Sequence, residues 1–129
     1  MTILLDTQVW LWMLSTPERF GTSGRALLED GSHRLLLSAA SSWEIAIKAG
    51  LGKLHLPAPA PVFVPRAMEA SGVTSLQVLH THALAVTDLP ALHRDPFDRL
   101  LVAQASVEGV PLMTADPTIA RYDVETIRA

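Results

Sequence analysis

The chain has 129 residues, of which 49% are hydrophobic and 18% charged, and it contains no cysteine. This length suits a single domain, residues 1–129, built on one core. The lack of cysteine excludes disulfides, thiolate metal sites and a cysteine nucleophile, and it fits the cytoplasm, where we expect the protein. With a net charge of −3, the chain lacks the overall positive charge that is typical of nucleic-acid-binding domains. If four acidic residues shared one metal site, however, the rest of the chain would carry a net +1.

The mean hydropathy of +0.28 is high for a small chain. We expect part of the apolar surface to be reserved for a protein partner or a second copy. The apolar stretch at residues 1–14 is interrupted by Asp6 and has no basic region before it. It therefore predicts neither a signal peptide nor a membrane span.

Short apolar runs alternate with helical segments along the chain. The predicted strands are residues 3–5, 34–38, 74–79, 110–114 and 124–127. The predicted helices are residues 8–14, 23–30, 39–49, 62–70, 80–86 and 97–107, with a short one opened by Asp116-Pro117. Residues 56–61 hold three prolines and are predicted to form a loop. This alternation predicts an α/β fold of three layers, α/β/α, with a central parallel sheet.

Four carboxylates are predicted at the carboxyl end of that sheet, where ligands bind in such folds. Asp6 follows the first strand, and Asp116 follows the strand at residues 110–114. Glu44 lies early in the helix after the second strand, and Asp98 lies in the first turn of the helix opened by Asp95-Pro96. Each alone has a structural explanation: a helix cap for Asp6 or Asp116, a favourable helix dipole for Asp98, and a solvated surface for Glu44.

As a group, the four carboxylates point to a metal. Clustered carboxylates repel one another unless a cation compensates their charge. Oxygen ligands select hard cations such as Mg²⁺ or Mn²⁺. One or two such cations suit phosphodiester hydrolysis, because they polarise the phosphate and activate a bound water without a protein nucleophile.

The sequence resembles PIN-domain nucleases, and more narrowly the VapC-like toxins of toxin–antitoxin modules. Four stretches carry the resemblance: LLDTQVWLW at residues 4–12, LLLSAASSWEIAIKAGLGKLHLP at 35–57, LPALHRDPFDRLLVAQASVEG at 89–109 and LMTADPTIARYDV at 112–124. They follow the family's order and span nearly the whole chain. The resemblance implies an enzyme that cuts RNA with Mg²⁺ or Mn²⁺.

The family's acidic positions fall on Asp6, Glu44, Asp98 and Asp116. The resemblance implies that Asp6 and Asp98 bind the cation directly, and that Glu44 and Asp116 act through water or orient the attacking water. Thr114 matches a hydroxyl residue beside the metal. Since every acidic position is present, we expect an active enzyme.

The resemblance also implies two protein partners. One is a small cognate antitoxin whose tail covers the active groove and inserts a basic residue among the carboxylates. The other is a second copy of the chain, giving a homodimer.

Several polar residues have two interpretations. Asp95 rivals Asp98 as a ligand, although the helix pattern favours Asp95 as the cap. Arg99 either reaches a phosphate or lies on the surface, and Lys48 and Lys53 either line an RNA groove or are simply solvated. The His80-Thr81-His82 pattern is compatible with a metal pair, but it is interpreted as the flank of a helix start.

The three tryptophans are candidates for base stacking or for binding the antitoxin. They are Trp10, Trp12 and Trp43. For Trp43 we expect packing in the core near the first strand.

Two other function classes remain open. A phosphatase or receiver domain also places acids at strand ends, but the phosphatase would show Asp-x-Asp where this chain has Asp6-Thr7-Gln8, and the receiver would carry a lysine after its last core strand. A catalytically silent PIN-like binding module is the second alternative. Dinucleotide-binding and P-loop motifs do not occur.

Overall fold

The protein is described by a computed structural model that covers Met1–Ala129. Five strands form the central sheet: β1 Thr2–Leu5, β2 Arg34–Ser38, β3 Thr74–Leu76, β4 Leu112–Thr114 and β5 Thr126–Arg128. Six α-helices surround it: α1 Thr7–Ser15, α2 Thr22–Glu29, α3 Ala39–Gly50, α4 Ala60–Ser71, α5 His80–Ala85 and α6 Pro96–Glu108. Three short 3₁₀ helices complete the chain: Pro17–Arg19, Val86–Asp88 and Ile119–Arg121.

The sheet is entirely parallel, with strand order β3-β2-β1-β4-β5. The first strand therefore lies at the centre, with Thr2 opposite Arg34 of β2 and Leu4 opposite Leu112 of β4. From β1 the strands β2 and β3 extend the sheet to one edge, and β4 and β5 extend it to the other, so the strand order reverses between β1 and β4. Such switch points open a crevice at the carboxyl ends of the strands.

Both faces of the sheet are buried. Successive side chains of a strand point to opposite sides, and those of β1 pack into a separate core on each side. Ile3 and Leu5 of β1 pack into one core together with Trp10 of α1 and Val64 of α4. Leu4 packs into a second core on the other face, against residues of α6. The predicted three-layer architecture is therefore confirmed. None of the helices is both long and apolar enough to cross a membrane.

The proline-rich segment differs from the prediction. The loop predicted through residue 61 ends earlier, because α4 begins at Ala60. Pro61 fits in the first helical turn, where a backbone N–H has no partner in the helix anyway. The predicted short α-helix after Asp116-Pro117 is instead the 3₁₀ helix Ile119–Arg121.

Candidate metal centre

A cleft of about 430 Å³ opens at the carboxyl ends of β1 and β4. Seven charged residues line it: Asp6, Glu44, Asp95, Asp98, Asp116, Lys48 and Lys53. The four carboxylates singled out in the sequence are thus brought together from four separate segments. Asp95 lies in the same cleft as a fifth carboxylate.

Asp6 follows β1 directly and is almost fully buried, with 7% of its surface exposed. Its Oδ2 accepts a hydrogen bond of 2.8 Å from the Thr114 hydroxyl, at the end of the neighbouring strand β4. Burial raises the pKa of Asp6 overall; the Thr114 hydroxyl bond opposes this effect, and the charges of Glu44 and Asp116 add to it. Although Asp6 stands at the N-cap position of α1, its side chain makes no capping bond. Its carboxylate lines the cleft.

Glu44 is buried within α3, at 4% exposure. Its Oε2 accepts a hydrogen bond from the Lys48 ammonium, one helical turn further on. Its Oε1 is buried and has no hydrogen-bond partner in the protein. A buried carboxylate oxygen without a partner costs free energy. Glu44 Oε1 is therefore a position where an additional ligand is expected.

Asp98 lies in the first turn of α6, whose start is defined by Asp95. Asp95 Oδ1 accepts from the backbone N–H groups of Phe97 and Asp98, so Asp95 is the helix cap. This leaves the Asp98 carboxylate free to face the cleft, with 15% of the side chain exposed. Burial, together with the charges of Asp6 and Asp95, raises the pKa of Asp98 to about 7.

Asp116 is the most exposed of the four predicted site carboxylates, with 31% of its side chain accessible. Its Oδ1 accepts from the backbone N–H of Thr118 at 2.8 Å, and its own N–H donates to Thr114 Oγ1 at 3.0 Å. Its Oδ2 lies 2.8 Å from His93 Nε2. Partial burial opposes ionisation, but the bonds from His93 and the Thr118 N–H outweigh it and lower the pKa of Asp116.

His93 was not among the predicted site residues. Its Nε2 lies 2.8 Å from Asp116 Oδ2 and 3.1 Å from Asp98 Oδ2. Burial would lower the pKa of His93, but the bond to Asp116 and the charge of Asp98 raise it overall. His93 lies in an irregular segment without periodicity. The only sequence signal was its position two residues before the cap of α6.

The donor set fits a hard divalent cation. All the carboxylates present oxygen atoms, which suit Mg²⁺ or Mn²⁺. The unpartnered Glu44 Oε1 and the raised pKa of Asp98 both indicate negative charge that the protein itself does not fully compensate.

The chain matches a known family over nearly its whole length. The family described as "PIN domain" matches residues 3–125. The chain belongs to the PIN domain family. Its predicted resemblance to that family is therefore confirmed.

Among known proteins, this PIN domain is 48% identical over 58 residues to "Ribonuclease VapC16" of Mycobacterium tuberculosis. That alignment covers 45% of this chain and 41% of the relative, so it spans less than half of the relative's length.

Two solved structures are similar over almost the whole PIN domain. "VapBC2 from Rickettsia felis bound to a DNA fragment from their promoter" has a TM-score of 0.73 at 14% identity, covering 99% of this chain and 98% of that chain. "VapBC-1 from nontypeable Haemophilus influenzae" has a TM-score of 0.63 at 17% identity, covering 99% and 98%. At such identities the likeness is one of fold.

Two of the predicted RNA contacts have different surroundings in this PIN domain. Lys48 lines the cleft, and its pKa is raised by the bond to Glu44. Arg99 does not line the cleft. Its guanidinium donates to the carbonyls of Pro90 and Val86 and to the Tyr122 hydroxyl. Arg99 therefore supports the loop before α6, and its contact with a phosphate stays a prediction.

The tryptophans also depart from expectation. Trp43, expected in the core, is 61% exposed and packs edge-on against Phe97 with ring centroids 5.1 Å apart. Trp10 is fully buried and donates to Ser71 Oγ, which excludes it from base stacking. Trp12 packs against Phe20, with the Arg19 guanidinium 5.2 Å from its ring centroid.

The histidine pair flanks a helix start as predicted, since α5 begins at His80. His82 is fully buried, and its Nδ1 accepts from the Leu79 N–H while its Nε2 lies 3.2 Å from Glu108. The two histidines therefore form no common metal site.

Proposed function

We propose that this PIN domain is a ribonuclease that hydrolyses RNA phosphodiester bonds with Mg²⁺ or Mn²⁺ and acts as the VapC-like toxin of a toxin–antitoxin pair. The observation that carries the proposal is the cleft. Four carboxylates from separate segments converge there, and one of their oxygens, Glu44 Oε1, is buried without a hydrogen-bond partner. The likeness to a protein named as a ribonuclease supports the same activity.

In this proposal Asp6 and Asp98 are the direct ligands. No backbone N–H binds the Asp98 carboxylate, so it can be shared with a cation. Asp116 already has both oxygens hydrogen-bonded, to His93 and to the Thr118 N–H, which favours a contact through water. When bound, the cation supplies positive charge at the phosphate and lowers the pKa of a water.

The protein's own residues supply orientation. Thr114 holds Asp6 by donating to its Oδ2, and it accepts the N–H of Asp116. Thr114 thus fixes two carboxylates from two strands. Glu44 and Asp116 orient the attacking water by accepting hydrogen bonds from it. Lys48 and Lys53 line the same cleft and bind the phosphates that flank the scissile bond.

The protein partners proposed are a cognate antitoxin and a second copy of the chain. The similar solved structures are described as VapBC proteins, which supports an antitoxin. The exposed residues Trp43, Ile47 and Leu51 are spaced four apart on and just after α3, so they form one apolar stripe. An exposed apolar stripe of this kind is typical of a protein interface, and we assign it to the homodimer.

The deciding experiment is RNA cleavage by the purified chain without antitoxin, in Mg²⁺, in Mn²⁺ and in EDTA. We expect cleavage with either cation and none in EDTA. Asp6→Asn and Asp98→Asn, purified identically, should be inactive, because each removes a direct ligand. Asp123→Asn changes the same charge at an exposed position outside the cleft and should retain activity.

Two results would contradict the proposal. Equal cleavage by the wild type and both variants would mean that the cleft does not supply the activity, which then belongs to a contaminating ribonuclease. If the wild type cleaves none of a broad set of RNAs and binds neither cation at millimolar concentration, the silent binding module becomes the better description.

A further inference from the structure

His93 is held at three points in the loop before α6. Its backbone N–H donates to the Tyr122 hydroxyl at 2.8 Å. Its Nδ1 accepts the backbone N–H of Asp95 at 3.0 Å. Its Nε2 contacts Asp116 Oδ2 at 2.8 Å. The imidazole is therefore fixed between the cap of α6 and a carboxylate of the cleft.

The bond from the Asp95 N–H decides the tautomer. A ring nitrogen that accepts a hydrogen bond carries no hydrogen, so the neutral imidazole must carry its hydrogen on Nε2. Nε2 is then a donor to Asp116 and has no lone pair for a metal. One ligand atom from each of His93, Asp98 and Asp116 lies within 4.8 Å of the others, which is compact enough for a three-ligand metal site. The hydrogen-bond pattern nevertheless makes His93 a donor there.

The surrounding loop keeps His93 in place. Arg99 donates to the carbonyls of Val86 and Pro90, and also to the Tyr122 hydroxyl that receives the His93 N–H. The side chain of His93 is 18% exposed, so it has little room for another rotamer. An unbroken series of bonds thus runs from α6 to Asp116 and, through Thr114, to Asp6.

We propose that His93 is a positioning residue of the metal centre: its Nε2–H fixes the Asp116 carboxylate beside Asp98, and it does not ligate the cation. This inference rests on the proposed function, since it assigns a role in the same site. Residues that orient metal ligands through hydrogen bonds typically contribute 10- to 100-fold to affinity or activity.

Two substitutions separate this role from simple support of the loop. His93→Asn keeps an acceptor where Nδ1 stands, so it preserves the bond from the Asp95 N–H, but it is too short to reach Asp116. His93→Gln places an amide N–H where Nε2 stands and restores the donor to Asp116. His80→Ala is the control, because His80 is exposed and lies outside the cleft.

The experiment measures Mn²⁺ affinity by titration calorimetry and detects nitrogen ligation by pulsed electron paramagnetic resonance of the bound Mn²⁺. We expect His93→Asn to weaken Mn²⁺ binding by roughly 10-fold or more, and His93→Gln to stay within about threefold of the wild type. His80→Ala should match the wild type. The wild-type spectrum should lack the coupling of a directly bound imidazole nitrogen.

Four results would overturn this inference while leaving the proposed function intact. A directly bound nitrogen that disappears in His93→Asn would make His93 a ligand. Wild-type Mn²⁺ affinity in His93→Asn would mean that His93 only supports the loop. Tighter binding in His93→Asn would show that His93 competes with the cation, and failure of His93→Gln to rescue would exclude the donor role. If the wild type itself binds no Mn²⁺, the proposed metal-dependent function fails and this inference fails with it.

Discussion

The carboxylates of the cleft are stabilised to different degrees, each by its own partner. Asp6 receives the Thr114 hydroxyl, Glu44 receives the Lys48 ammonium, and Asp116 receives a backbone N–H and His93. Asp98 has only the close approach of His93, and its pKa is the one raised to about 7. Asp98 is therefore the carboxylate whose ionisation most strongly opposes folding when no cation is present.

We expect Asp98→Asn to stabilise the metal-free protein at pH 8. The wild-type carboxyl must ionise there against its burial and the charges of Asp6 and Asp95, whereas the amide carries no charge. A gain of about 1 kcal/mol would raise the melting temperature by roughly 4 °C in a domain of this size. In Mn²⁺ the order should reverse, because the variant lacks a ligand. Calorimetric melting in EDTA and in Mn²⁺ measures both effects.

The matched control for this prediction is Asp123→Asn, which removes one negative charge at an exposed position. It should leave both melting temperatures near those of the wild type. A melting temperature of Asp98→Asn below that of the wild type in EDTA would show that the cluster does not destabilise the fold.

Single residues were predictable where local geometry determines their position. Asp6 and Asp116 follow buried strands, and the carboxyl ends of parallel strands meet at one edge, so their common cleft followed from the pattern. Their roles as ligands stay predictions. His93 and Arg99 lie in or beside an irregular loop, and their positions depend on contacts with Tyr122 that no local pattern encodes.

Among the elements, α6 has the most clearly defined start. Asp95 caps it through Oδ1, and Pro96 occupies the first helical position, where a missing N–H costs nothing. The Asp95 N–H meanwhile binds His93. The segment from residue 93 to 98 thus acts as one unit that starts the helix and aims Asp98.

We expect Asp95→Ala to destabilise the protein by about 1 kcal/mol, because the N–H groups of Phe97 and Asp98 lose their acceptor. Asp95→Asn keeps a capping oxygen while removing the same charge, so its stability should remain near that of the wild type. Urea unfolding in EDTA measures the difference. Equal stability of the two variants would mean that the capping bonds contribute little.

Helix α3 illustrates where the sequence pattern misleads. Trp43, Ile45 and Ile47 are all apolar, but residues two apart on a helix lie about 200° apart around its axis. Ile45 is fully buried, whereas Trp43 is 61% exposed and Ile47 37%. The apolar residues therefore form two faces. The sequence predicted the helix correctly but placed Trp43 on the wrong side.

On the scale of the whole molecule, the sheet separates two cores and leaves the outer face of α3 uncovered. Leu51, just after α3, is 65% exposed and continues the stripe of Trp43 and Ile47. Part of the high mean hydropathy of the sequence therefore comes from apolar residues on the surface, in addition to those buried in the two cores.

We expect the purified protein to sediment as a dimer and Leu51→Glu to shift it towards the monomer, because a charge at a buried apolar contact is costly. Leu84→Glu is the control, since Leu84 is exposed on α5, which packs against α6 rather than α3. Sedimentation velocity at several concentrations distinguishes the species. A wild type that is monomeric at all concentrations would contradict the homodimer.

The central position of β1 also has a consequence for synthesis on the ribosome. β1 emerges before β4, with which it pairs, and Asp6 binds Thr114 across 108 positions of the chain. Long-range closures of this kind come late in folding. A nascent chain that has not yet released β4 lacks both Thr114 and Asp116. The cleft therefore cannot be complete until β4 has left the ribosome, although Asp6 and Glu44 emerge much earlier.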